Sequence, residues 1–221
     1  MGCTKTDFMR GMQCPKMLWL DKHHPELKVV PEETQKRLDR GNEFGDKAMA
    51  MFGAFEEMTE YIPNTCIPNK KKMVLNTKHH LETGTENICE ASFSWNGSFC
   101  AVDILHRVDG GYEMYEVKDS PEVKPQFIND AGFQRYILEK CGINLLRVFV
   151  VYHGEDEDYP FVPQDVSEET KAYAAVVDAN LDRLSRMKEM LTEPDVRPGE
   201  QCSRPYECWY CAHCGISFDK E

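Results

Sequence analysis

The stretch CAVDILHRVDGGYEMYEVKDS, Cys100 to Ser120, decides the fold. It reads as two β-strands joined by Asp109-Gly110, a preferred dipeptide for a two-residue type I′ hairpin loop, and such a loop pairs Val108 with Gly111. Counting outward sets Asp103 opposite Glu116. Upstream, EASFSWNGSF offers a second turn of the same kind at Asn96-Gly97, which pairs Trp95 with Ser98 and therefore Glu90 with Asp103. Three acids line up across three strands.

Side chains alternate along a strand, so the opposite face carries Ala91, Phe93, Trp95, Cys100, Val102, Ile104, Tyr115 and Val117 and reads as core. The acidic face, which also holds Ser92, Ser94, Ala101, Met114 and Lys118, reads as the floor of a cleft. Like charges directly opposite in a sheet are destabilising, and a row of them calls for a positive charge in their midst. A divalent cation with oxygen ligands, Mg²⁺ or Mn²⁺, is the economical candidate. Taken alone, Glu90 reads as a solvated rim acid. Asp103 with the Glu-x-Lys of Glu116 and Lys118 at matched register reads as a metal site.

A chain of 221 residues can bury a sizeable core and is expected to fold as one domain, 1–221. Its expected parts are a helical N-terminal portion over 1–54, a catalytic core over 85–153 and a cysteine-rich region over 195–216. A formal net charge of -12 argues against a protein that wraps nucleic acid through general basicity, and leaves room for a narrow basic channel drawn from Lys70, Lys71, Lys72, Lys118, Lys124, Arg135 and Arg204. The acidic run Glu155 to Asp158 reads as solvated surface. No apolar run approaches a membrane span and no signal-peptide core opens the sequence, so a cytoplasmic location and no membrane partner are expected. The opening MGCTKT matches the loose N-myristoylation pattern, with Cys3 as a neighbouring acylation site.

Ten cysteines in such a chain are not expected to be disulfides. Cys202, Cys208, Cys211 and Cys214 fall together near the end, whereas Cys66, Cys89, Cys100 and Cys141 read as free thiols inside ordinary elements. The tail set alone could make a tetrahedral zinc site.

Along the chain, Thr4 and Asp7 form a capping-box pattern ahead of a first helix, and Pro15 opens a second. Residues 31 to 52 read as a long helix interrupted or closely approached around Gly41 and Gly45. A strand is expected near Tyr61 and a helix over Met73 to Leu81. The three strands then span 88 to 118, a helix runs from Lys124 to Cys141, INLLRVFVVYH is a strand buried on both faces, and a polar loop leads to a helix over Val166 to Leu191.

The order of helix, three-stranded meander carrying Asp103 and Glu116-Val117-Lys118, helix and buried strand resembles the PD-(D/E)XK nuclease core. Gln134 in AGFQRYIL resembles the glutamine that RecB-type members place on the helix after the Glu-x-Lys strand. One early cysteine, in QCPK, plus three late ones resembles the iron-sulfur staple of AddB-type and CRISPR-associated nucleases; KTDFMRGMQCPKMLWL, GNEFGDKA, YEVKDS and CSRPYEC add to the likeness. The resemblance implies a restriction-endonuclease-like mixed α/β sheet flanked by helices, with the cysteine-rich staple joining the two ends of the chain. It implies a 4Fe-4S cluster on Cys14, Cys202, Cys208 and Cys214. It also implies Mg²⁺ or Mn²⁺ on Asp103, Glu116, the Val117 carbonyl and Glu90, with Lys118 orienting or deprotonating water and Gln134 positioning Lys118 or the phosphate. The implied substrate is DNA, single-stranded or with a free end, cut as an exonuclease cuts, with Trp19, Tyr112 or Trp209 as candidates to stack on bases.

The chain departs from that pattern in three places. Gly45 stands where many relatives have a histidine, leaving Glu43, Asp46 or Glu90 to replace it; Tyr136 follows Gln134 by two residues rather than four; and Cys202, Cys208 and Cys214 are each separated by five residues, with Cys211 as an extra. A nucleic-acid-binding module with a decayed nuclease site, and a zinc-stabilised interaction protein, are the competing readings.

Overall fold

The computed structural model describes residues 2–154 and 160–216; the acidic run Glu155 to Asp158 lies outside them. Six strands form one mixed sheet in sequential order: β1 (Glu56–Glu57), β2 (Asn87–Trp95), β3 (Ser98–Val108), β4 (Gly111–Val117), β5 (Leu145–His153) and β6 (Phe161–Asp165). The expected meander is β2 to β4, antiparallel throughout, and α5 (Pro125–Lys140) carries the chain over to β5, which pairs parallel with β4. Both hairpins close as expected, with Trp95 opposite Ser98 and Val108 opposite Gly111. Their turns differ. Asn96 and Gly97 both have positive φ, as a type I′ turn requires, whereas at the second turn only Gly110 does, so that turn is not type I′.

The single core face expected for the meander is in fact two. Ala91, Phe93, Cys100 and Val102 pack with Leu105, Met114, Val148 and Val150 against α1 (Lys5–Gln13), α2 (Pro15–His23), α5 and α6 (Ser167–Lys188). Ile104, Tyr115 and Val117 pack on the other face with Cys89, Phe149 and Val151, beneath the end of α3 (Glu32–Ala48) and the 3-10 turn Met49–Phe52. Alternation changes phase at Glu90, whose backbone takes φ 52°, and at Asp103 opposite it. Each strand skips one residue of the period of two there while the register stays the same, so the break is paired and is not a β-bulge. Met114 and Ser92, expected on an open floor, are therefore buried.

β5 has both faces covered, as its apolar run predicts, and lies between β4 and β6. α3 runs unbroken through Gly41 and Gly45, and a Cβ at either would meet nothing within 4 Å, so neither is closely approached. The strand expected near Tyr61 is only an isolated bridge to Pro68, the helix there is α4 (Lys70–Thr83), and the short edge strands β1 and β6 were not legible. No helix among the described residues is long and apolar enough to cross a membrane. Cys3 is fully buried, its N–H bonded to Ser98 Oγ at 3.2 Å, which leaves no exposed thiol for acylation in this fold.

The two ends of the chain meet. Cys14, Met17, Trp19 and Leu20 of the α1–α2 region pack with Cys202, Cys208, Tyr210 and Cys211. The Tyr210 hydroxyl donates to Asp21 at 2.8 Å, and the Gln13 amide donates to the carbonyls of Gln201 and Tyr206 at 2.8 and 2.7 Å. The Arg10 guanidinium and the Lys28 ammonium lie 4.1 and 4.2 Å from the centroid of the Trp209 ring.

The capping box at the start of α1 fixes the helix that reaches into the sheet: Thr4 Oγ1 accepts from Asp7 N–H at 3.1 Å, and Asp7 accepts from Thr4 N–H at 2.9 Å. Thr4→Ala is expected to lower the unfolding free energy by about 1 kcal/mol in urea denaturation, the usual worth of an N-cap; no change in midpoint would mean that α1 does not depend on its cap.

Candidate active site

β4 delivers Glu116 to the face covered by helices, where it is 1% exposed. A carboxylate so far from water requires partners of opposite charge. It has them: Lys5 of α1 and Lys118 donate to Oε1 at 2.8 and 2.7 Å, and the Gln134 amide of α5 donates to Oε2. Burial alone would raise this carboxyl, but the two ammonium groups overcome it and hold Glu116 down at about 2.

Asp103 stands beside it at the phase change of β3. The regular β3–β4 ladder ends at Ile104–Tyr115, and the freed Val117 N–H donates instead to Asp103 Oδ2 at 2.6 Å. Burial first, and the Glu116 charge second, push Asp103 up to about 6. Glu90 is expelled from regular pairing by its positive φ, a costly conformation for a non-glycine residue that functional sites tolerate. Burial and the nearby Asp103 charge push it up to about 8.

Lys118 bridges Glu116 and Asp130 of α5, each at 2.7 Å. Although burial opposes its charge, Asp130, Glu116 and Asp103 raise its pKa well above the ordinary lysine value. In the metal-free chain Lys118 is thus held as a cation between two carboxylates.

The structure thus brings Asp103, Glu116, Lys118, Gln134 and Glu90 together, and Val117 contributes its N–H to Asp103. Glu90, taken alone as a rim acid, is a member of the cluster. Glu43 and Asp46 are exposed on α3, so of the three proposed substitutes for a histidine at Gly45 only Glu90 stands at the acids. Two members were not foreseen. Asp130 precedes Gln134 by one helical turn on the same face, a spacing that could have found it; Lys5 is distant in sequence and carries no such signal. Arg135, proposed for a basic channel, is buried and bonded to Glu139 and the Ser167 carbonyl at 2.8 and 2.9 Å. The Tyr136 hydroxyl donates to Asp178 of α6 at 2.7 Å. Trp19 is a buried residue stacked on His23, and Trp209 is covered by Arg10 and Lys28.

Four carboxylates, Glu90, Asp103, Glu116 and Asp130, face two ammonium groups, Lys5 and Lys118. The cluster lacks two positive charges when fully ionised. Gln134 Oε1 is a buried acceptor with no partner. An oxygen-rich donor set short of charge, with an orphaned acceptor, fits a small hard divalent cation. Among the described residues no three His, Cys, Asp or Glu side chains converge as ligands, and Glu116 is held by Lys5 and Lys118.

In the cysteine-rich region, Cys14, Cys202, Cys208 and Cys214 line one cavity together with Lys16 and Arg197. Cys211 packs beside it without lining it. The Tyr210 N–H points at Cys208 Sγ, 3.5 Å away.

No family model matches the chain, and no curated protein does. Among solved structures, LHK-Exo in complex with dAMP is 13% identical, with TM-score 0.41, over 86% of this chain and 95% of the other. The alkaline exonuclease LHK-Exo from Laribacter hongkongensis is 12% identical, with TM-score 0.32, over 84% and 99%. Likeness of that degree fixes neither activity nor ligands, and the functional reading rests on the site itself.

Glu90 and Asp103 titrate higher in the folded chain than in an unfolded one. The native state therefore binds more protons between the ordinary carboxylate range and about pH 8, and stability falls as pH rises through that interval. Without divalent metal, the melting temperature is expected to decline from pH 5 to pH 8, and Glu90→Gln to flatten the decline and melt several degrees higher at pH 8. An identical slope in the variant would show that Glu90 is not in the cluster.

Proposed function

We propose that the protein is a metal-dependent DNA nuclease of the PD-(D/E)XK type, acting as an exonuclease on single-stranded or free-ended DNA. The observation that carries this reading is the convergence of Asp103, Glu116, Lys118 and Gln134, on two strands and the crossover helix, at a cluster short of two positive charges. The restriction-endonuclease-like order of meander, helix and parallel strand supports it.

Asp103, Glu116, Glu90 and the Val117 carbonyl are the residues to hold Mg²⁺ or Mn²⁺, which when bound supplies Lewis-acid activation of the phosphate and of a water. The chain's own groups do the rest. Val117 N–H and Gln134 fix the orientation of the two central carboxylates. Lys118, kept cationic by Asp130, offsets the negative charge that grows on the phosphate oxygens. Asp103 and Glu90, pushed up to about 6 and 8 by burial and neighbouring charge, would give up their protons as the cation binds.

The cavity lined by Cys14, Cys202, Cys208 and Cys214 is the proposed seat of a 4Fe-4S cluster. The presence of Cys14 rather than Cys211 on its wall supports this over a zinc site made by the tail alone. Lys16, Arg197 and the Tyr210 N–H suit the negative charge of thiolates. In anaerobically purified protein, iron and sulfide analysis is expected to give a loaded cluster that Cys14→Ser loses and Cys211→Ser retains; stoichiometric zinc with no iron would end the assignment.

The activity is tested on end-labelled single- and double-stranded DNA with Mg²⁺ or Mn²⁺. Cleavage is expected from the intact protein, with Lys118→Ala and Asp103→Ala each reducing it by roughly 10²-fold or more, the scale of losing one transition-state charge partner. Binding without cleavage by the metal-supplied protein would overturn the nuclease reading.

A further inference from the structure

Tyr206, in the CSRPYEC segment of the cysteine-rich region, lies against α3, whose Arg40 reaches Asp119 beside Lys118. The residue is 36% exposed. It is nevertheless held from two sides. The backbone carbonyl accepts from the Gln13 amide at 2.7 Å, and the Arg37 guanidinium of α3 lies 5.5 Å from the ring centroid. Burial pushes the Tyr206 phenol up, with a smaller push from the Asp130 charge and an opposing pull from Lys118.

Arg37 is exposed and has no carboxylate within ion-pair distance among the described residues, and one turn further along α3 Arg40 reaches Asp119, the residue after Lys118, only at 3.6 Å. An acidic protein that leaves two guanidinium groups weakly satisfied on the helix that reaches Asp119 has local positive charge beside its acidic cluster. A preorganised aromatic face next to such a group is the combination that binds unpaired nucleotides: the ring stacks on a base, and the planar guanidinium takes a phosphate.

We propose that Tyr206 and Arg37 form a substrate-positioning platform beside the acidic cluster, the Tyr206 ring stacking on an unpaired nucleobase and the Arg37 guanidinium binding the adjacent backbone phosphate. The proposal rests on the nuclease reading for its substrate class. It also gives the cysteine-rich region a place in substrate binding, since Tyr206 lies between Cys202 and Cys208.

The test is binding of a fluorescein-labelled oligothymidylate to the full-length, anaerobically purified protein, measured by anisotropy in EDTA so that cleavage plays no part, with melting temperatures as a folding control. Tyr206→Ala is expected to weaken binding about tenfold, within the range of one base stacked on an aromatic ring. Tyr206→Phe, which keeps the ring and loses the hydroxyl, should stay within about twofold of the parent on the same grounds. Arg37→Gln, on an exposed helix face, should weaken binding and lower the slope of log K against log salt by about 0.7, one phosphate contact on a single strand. Tyr61→Ala, which removes an exposed aromatic that touches neither Tyr206 nor Arg37, should bind as the parent does. Parent-like binding by both Tyr206→Ala and Arg37→Gln would overturn the platform even if the protein cleaves DNA. So would a Tyr206→Phe as weak as Tyr206→Ala, since the phenol and not the ring would then matter. No binding by the parent would overturn it outright. Binding that depends on the two residues in a protein that never cleaves would uphold the platform and remove the nuclease reading.

Discussion

The buried Glu116 carboxylate is the constraint on which the rest of the structure depends. A single unpaired charge in that position would cost several kcal/mol, and removing one partner of such a pair typically costs 3–5 kcal/mol, on the order of a small domain's whole stability. Lys5, Lys118 and Gln134 have to be present together, and each comes from a different element. Satisfying one carboxylate therefore docks α1 and α5 on the same face of β4. Because α1 leads into α2, which packs against Tyr210 and the late cysteines, the same docking positions the end of the chain.

The cluster divides charge unequally between neighbours. Glu116, between two lysines, is driven to ionise, while Asp103 and Glu90, a strand or two away, are driven to stay protonated. One buried environment thus contains a permanent anion, a permanent cation in Lys118, and two acids whose charge changes near neutral pH. That division suits the proposed hydrolysis: fixed charges to orient and stabilise, and acids that can exchange their protons for a cation.

Much of this was legible in the sequence, for identifiable reasons. Asn96-Gly97 and Asp109-Gly110 set the register that brings Glu90, Asp103 and Glu116 level, and the apolar run at β5 announces a strand covered on both faces. The two turns did this although only one has type I′ signs, because loop length rather than turn type fixes the pairing. What a strict period of two could not reveal is the phase change at Glu90 and Asp103, which splits the expected core face and exposes the two acids to each other. Edge strands of two and five residues, β6 carrying Pro163, were below the length at which alternation is visible. Lys5, the long-range member of the site, and Arg37 and Tyr206 of the proposed platform have no spacing that relates them to the meander. Conversely, Gly41 and Gly45 invited a break in α3 that does not occur. Phe44 between them stacks on His153 at 4.3 Å and anchors the helix to β5.

In the proposed nuclease this acidic cluster holds a divalent cation in exchange for protons. The exchange is read by calorimetric titration of the metal-free protein with Mn²⁺ at pH 7, in buffers of different ionisation enthalpy. Binding accompanied by proton release is expected, reduced in Glu90→Gln and abolished along with binding in Asp103→Asn. Binding without proton release, or binding that survives Asp103→Asn unchanged, would contradict it.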